Sequence, residues 1–196
     1  MMISAREISQ GIYGAWKLAR YDNDGILFFD NTPEAALASF KAALLVVPVH
    51  IMLIVLQTDW SLFAVGGIAA LLIHVITFVA DWTVFPLAMF YVARFCDREQ
   101  WYWRYLAAYN WAQVLQITLF VVISGAIASG LLPTAFGGLL IFIALIAIFF
   151  YKGFIARVGL ETTMPVTVGI VLLDLGASAL LSANMVNMLR GHGFLG

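Results

Sequence analysis

One cysteine, Cys96, stands in the whole chain, so no internal disulfide can close and no Cys-rich metal site can assemble. The three histidines, His50, His74 and His192, are too scattered to replace one, so neither a structural metal nor a cofactor is expected. Charge is scarce as well: Asp, Glu, Lys and Arg make up 11% of the residues and the net charge is -1. So sparse and balanced a set of cations cannot track a phosphate backbone, which excludes a nucleic-acid partner. No cleavable leader is read at the start, because the first apolar run follows roughly thirty mostly polar residues. The first span is expected to act as its own insertion signal.

What replaces charge is hydrocarbon. Apolar residues make up 63% of the chain and its mean hydropathy is +0.98, values that a water-soluble fold of this length does not reach. Lipid is the expected solvent and the bilayer the first partner. The expected fold is all-α, a polytopic transmembrane bundle of five spans (33-196) preceded by an N-terminal segment (1-32).

Within that segment, Ile8, Ile12, Trp16 and Ala19 recur at helical spacing, and Ser4 with Glu7 has the form of a capping box. A short amphipathic helix is expected, either gripping the inner leaflet or capping the bundle's own end. Asp22, Asp24 and Gly25 superficially suggest a calcium loop. Aligning Gly25 with that loop's invariant glycine puts Arg20 and Asn31 where carboxylate ligands belong, so a polar turn explains the residues better.

The spans are expected over 33–57, 62–95, 102–129, 134–151 and 165–189. The second tract exceeds the roughly twenty residues a bilayer needs, so it could be one tilted helix or two. Charge placement favours one: five spans put Arg6, Lys17, Arg20, Lys41, Arg94, Arg98, Arg104, Lys152 and Arg157 on one side and only Arg190 on the other. The positive-inside bias then sets the N-terminus in the cytoplasm and the C-terminus outside. Tyr151 and Lys152 read as the cytoplasmic boundary of the fourth span.

Polar groups at depth carry the functional expectations, since a charge at the bilayer centre costs about 2.5–3.5 kcal/mol on insertion scales. His74, Thr77 and Asp81 share one face of the second span, and Asp174, Ser178 and Ser182 form a stripe on the last. Asn110, Gln113 and Gln116 fall within an arc of about 120° on the third. These faces are expected to turn toward one another, either as interhelical glue or as a solute pathway in which Asp81 and Asp174 titrate and His74 relays. No catalytic set assembles, so a non-enzymatic protein is expected.

A cytoplasmic segment carrying Tyr13-Gly14, followed by five closely spaced spans, resembles the Yip family, the Ypt-interacting proteins of membrane traffic, and its bacterial branch. Eukaryotic members carry Asp-Leu-Tyr-Gly-Pro before the first span; this chain departs from it at Ile12 and Ala15. The run Ala108-Tyr109-Asn110-Trp111 is similar to small bacterial membrane proteins. The resemblance implies a scaffold or accessory subunit acting through helix surfaces, with a membrane-protein partner or a homo-oligomer, in a bacterial inner membrane. The alternative is a small proton-coupled carrier using Asp81, Asp174 and His74.

Overall fold

In the computed structural model, which describes residues 4–57 and 67–191, every regular element is helical. Trp60, Gly66 and His192 lie outside the described residues. Helix α1 (Ala5–Ala19) opens with the capping box read from Ser4 and Glu7: the Glu7 amide donates to Ser4 Oγ, and the Ser4 amide donates back to the Glu7 carboxylate. A 3₁₀ turn (Asn23–Phe28) follows, begun by Asp22, whose carboxylate accepts from the Asp24 amide at 2.9 Å. These acidic residues therefore shape a turn.

The membrane region comprises α2 (Pro33–Ser39), α3 (Ala42–Gln57), α4 (Gly67–Phe95), α5 (Tyr102–Ala128), α6 (Thr134–Leu160) and α7 (Met164–Gly191). Five segments, with α2 and α3 joined as one, are long and apolar enough to cross a bilayer. Across its described part the second tract is a single helix that runs through Pro86. The first span is interrupted at Phe40–Lys41, between α2 and α3, and Pro48 sits inside α3. There the Ala43 and Leu44 amides bond three residues back, to Phe40 and Lys41. Helix α6 continues nine residues past Tyr151, the expected end of the fourth span. The chain does not leave the bundle at Lys152, because Lys152 has an interior partner described below.

Most of the basic residues gather at one end of the bundle, formed by the C-termini of α4 and α6 and the N-termini of α5 and α7. Arg104 ties two of these together: its Nε donates to the Gly159 carbonyl at 2.8 Å and its Nη2 to Glu161 at 2.7 Å. Helix α5 has no side-chain cap of its own, and Asn31 supplies one from a distance. The Asn31 amide oxygen accepts from the Arg104 amide at 3.1 Å while its nitrogen donates to the Gln100 carbonyl at 2.6 Å.

Helix α1 packs on α5, α6 and the 3₁₀ turn, so the segment before the spans caps the bundle. Its buried face is Gly11, Gly14, Ala15 and Leu18, whereas Trp16, expected in the apolar stripe, is 52% exposed. The glycines decide this. A Cβ on Gly11 would lie 2.3 Å from the Trp111 ring, and one on Gly14 would lie 2.7 Å from Phe28 Cβ, so only bare backbone can approach so closely. The Tyr151 hydroxyl seals the contact by donating to the Ala15 carbonyl at 2.7 Å.

Candidate functional site

Consecutive helices α3 and α4 do not form the main contacts of the bundle; α3 packs on α5, and α4 packs on α7. The helices therefore border a half-open cavity of about 290 Å³ to which all five spans contribute and in which Asp81, Ser178 and Ser182 are exposed. Its polar lining is His50 from α3, Asp81 from α4, Tyr109, Gln113 and Gln116 from α5, Lys152 from α6, and Ser178 and Ser182 from α7. Phe78, Trp82, Phe85 and Phe120 supply apolar walls, with the Phe85 and Tyr109 rings 5.0 Å apart.

The electrostatic centre is Asp174, buried at 3% exposure. Lys152 Nζ donates to its Oδ2 at 2.7 Å and the Tyr109 hydroxyl to its Oδ1 at 2.9 Å, so each carboxylate oxygen accepts one donor. The Lys152 ammonium also lies 5.4 Å from the centre of the Tyr109 ring, a cation–π contact that lends it a second favourable neighbour. Each side chain arrives from a different helix. Lys152 lies eight residues before the end of α6 and Asp174 ten residues into α7, which places both about 12–15 Å from the basic end. A buried ion pair at this depth is tolerable only because its geometry is close and its remaining donors and acceptors are partly satisfied.

Asp81 behaves differently. It borders the same cavity as Lys152, yet makes no ion pair or hydrogen bond with any described residue. Lys152 is balanced by Asp174, so one carboxylate of the three charged groups is left without an opposite charge. The Gln116 side chain, 7% exposed, likewise leaves its Nε2 without a partner among the described residues. An unpaired carboxylate and an unpaired amide facing one cavity are groups awaiting a ligand, a proton or water.

Among the residues expected from sequence to form the polar site, Asp81, Gln113, Gln116 and Ser178 come together in the lining, and Asp174 sits directly behind it. Asn110 turns elsewhere. Its Nδ2 donates to Ser39 Oγ at 2.8 Å, tying α5 to α2 at a fully buried point, while its Oδ1 has no partner among the described residues. His74 and Thr77 do not line the cavity, whereas His50, whose ring stands 5.2 Å from Phe78, does. The Pro86 carbonyl, outside the cavity lining, accepts from the Tyr102 hydroxyl at 2.8 Å. Lys152 was masked by composition: a lysine beside Tyr151 near the end of an apolar run looks like an interfacial residue. The usable signal was that Lys152 is followed by eight residues of continuing helical apolar pattern.

Among the described residues, no group of three His, Cys, Asp or Glu side chains could hold a metal ion. No protein-family model, curated protein or solved structure matches the chain.

Proposed function

We propose that this protein is a small proton-coupled carrier whose site is the cavity bounded by all five spans. The observation that carries the reading is the unpaired Asp81 carboxylate beside a Lys152–Asp174 pair that cancels itself. A site with one uncompensated negative charge is suited to a proton or a small monovalent cation in exchange for it. Asp81 is the exchanging group in this reading, Gln116 and Ser178 shape the lining, and the Lys152–Asp174 pair holds α6 and α7 in place. The concentration of basic residues at one end favours placing that end, with the N-terminus, in the cytoplasm, and the short loops favour a bacterial inner membrane.

Reconstitution in liposomes loaded with a pH-sensitive dye tests this. Wild-type protein should move protons when a gradient of a small cation is imposed, and Asp81→Asn should abolish that flux while the protein remains folded, since Asp81 bonds to no described residue. Proton movement that is undiminished in Asp81→Asn, or absent from the wild type across the alkali and small ammonium cations, would overturn the reading.

A scaffold or accessory-subunit role of the Yip plan finds support on the outer face of α7. A Cβ on Gly169 or Gly176 would meet nothing within 4 Å there, which leaves room for another helix to approach closely. Native mass spectrometry of protein extracted from its own membranes distinguishes the two: a stoichiometric protein partner supports the scaffold, and its absence removes the accessory-subunit role.

A further inference from the structure

On the outside of the bundle, a groove of about 330 Å³ runs between α6 and α7 near the basic end. Gly153 forms its floor. A Cβ there would sit 3.3 Å from Val171, so the helices close tightly beneath the groove while Phe150, Phe154, Val168 and Leu172 rise on either side. The Tyr21 ring closes one end by packing edge-on against Phe154 at 5.2 Å between centres. To place that ring, Tyr21 adopts a left-handed φ of 58° at the end of α1.

Arg157 stands in the lining of this apolar groove. Lys17, Lys41, Arg104 and Lys152 are paired with Asp22, Glu7, Glu161 and Asp174, but Arg157 pairs with no carboxylate among the described residues. The nearest acid along its helix, Glu161, is already engaged by Arg104. Among the described residues, the Arg157 guanidinium reaches only the Met164 sulfur, a weak acceptor, from Nη1 at 3.2 Å. An exposed, uncompensated guanidinium at the headgroup end of an apolar groove complements one kind of molecule, in which an anionic phosphate and a hydrocarbon chain are joined.

We infer that the α6–α7 groove is a binding site for an anionic phospholipid, with an acyl chain lying along Phe150, Phe154 and Val168 and the phosphate on Arg157. It requires neither the carrier nor the scaffold reading.

Native mass spectrometry in mild detergent, with equimolar phosphatidylglycerol and phosphatidylcholine of the same chains, tests it. The wild type should retain phosphatidylglycerol about fivefold over phosphatidylcholine, the preference expected from one basic group at the surface. Arg157→Gln should bring the ratio close to one, while Arg98→Gln, a basic residue at the same end but outside the groove, should leave it unchanged. Val168→Trp, which fills the groove from an exposed position, should reduce both adducts. Equal retention of the two lipids by the wild type, or an undiminished preference in Arg157→Gln, would overturn the assignment.

Discussion

Lys152 on α6 and Asp174 on α7 meet at 2.7 Å within the bundle, and the Tyr109 hydroxyl of α5 takes the second carboxylate oxygen at 2.9 Å. Three helices thus converge on one carboxylate, and the pair is worth most as a whole. Removing one partner leaves a charge stranded in a medium that cannot solvate it, whereas removing both leaves only a packing problem.

Lys152→Met should therefore destabilise the protein by about 3–5 kcal/mol, the usual cost of breaking a buried pair. Lys152→Met combined with Asp174→Leu should recover most of that loss. Thermal unfolding in detergent, compared across the two variants, measures it. A double variant no more stable than the single one would mean that the helices are held by something else.

The glycine face of α1 makes a steric prediction. Gly11→Ala would drive a methyl group into the Trp111 ring, with no room at 2.3 Å, and should cost about 1–3 kcal/mol of overpacking or displace α1 altogether. Trp111 fluorescence and protease sensitivity of the first twenty residues report the displacement. Trp111→Leu in the same chain should rescue it, because the clash is with the indole.

Three non-glycine residues, Tyr21, Asp97 and Glu161, have left-handed backbones where helices end. At Asp97, as at Tyr21, both backbone bonds of a Schellman helix end are made: the Arg98 amide donates back to the Ala93 carbonyl at 2.7 Å and the Asp97 amide to the Arg94 carbonyl. The position asks for glycine, and Asp97 makes no ion pair with any described residue in exchange. Asp97→Gly should raise stability by about 1 kcal/mol, read as a higher unfolding temperature.

Acid should loosen α1. The Glu7 carboxyl is held below its ordinary 4.5 by the Ser4 backbone and by Lys41, and the Asp22 carboxyl below its ordinary 3.8 by Lys17 and the Asp24 backbone. Depressed carboxyl values mean that the folded state favours the ionised form. Their contribution is complete above about pH 4.5 and is lost as the pH falls through the lower folded values. The Lys17 ammonium is raised by Asp22, so its contribution holds through neutral pH and fades only in strong alkali. Hydrogen exchange over residues 5–19 at pH 3 and pH 7 should show faster exchange in acid than intrinsic rates predict. Glu7→Gln should reduce that difference by removing one of the two titrating carboxyls.

Much of the architecture was legible because hydropathy is a local sum. The five apolar tracts and the capping box at Ser4 and Glu7 depend on residues close in sequence, and the structure has each of them, with the fourth span ending later than expected. The candidate site was legible only in part. That Asp81 and Asp174 must avoid lipid follows from their cost at depth, but which group meets which does not. Asn110 shares an arc with Gln113 and Gln116, yet the gap between α2 and α3 brings Ser39 within its reach, and it leaves the cavity. Trp16 keeps helical phase with Ile8 and Ile12, yet the glycines beside it pack closer.

The sequence by itself determined the solvent, the number of spans and the end at which basic charge collects, because each follows from transfer free energies added residue by residue. Only the tertiary structure decided that Lys152 is an interior partner rather than a boundary marker and that Asp81 is left unpaired. Such pairing depends on distances between helices, set by small residues such as Gly11 and Gly153 where backbones approach, and no property of one helix alone contains them.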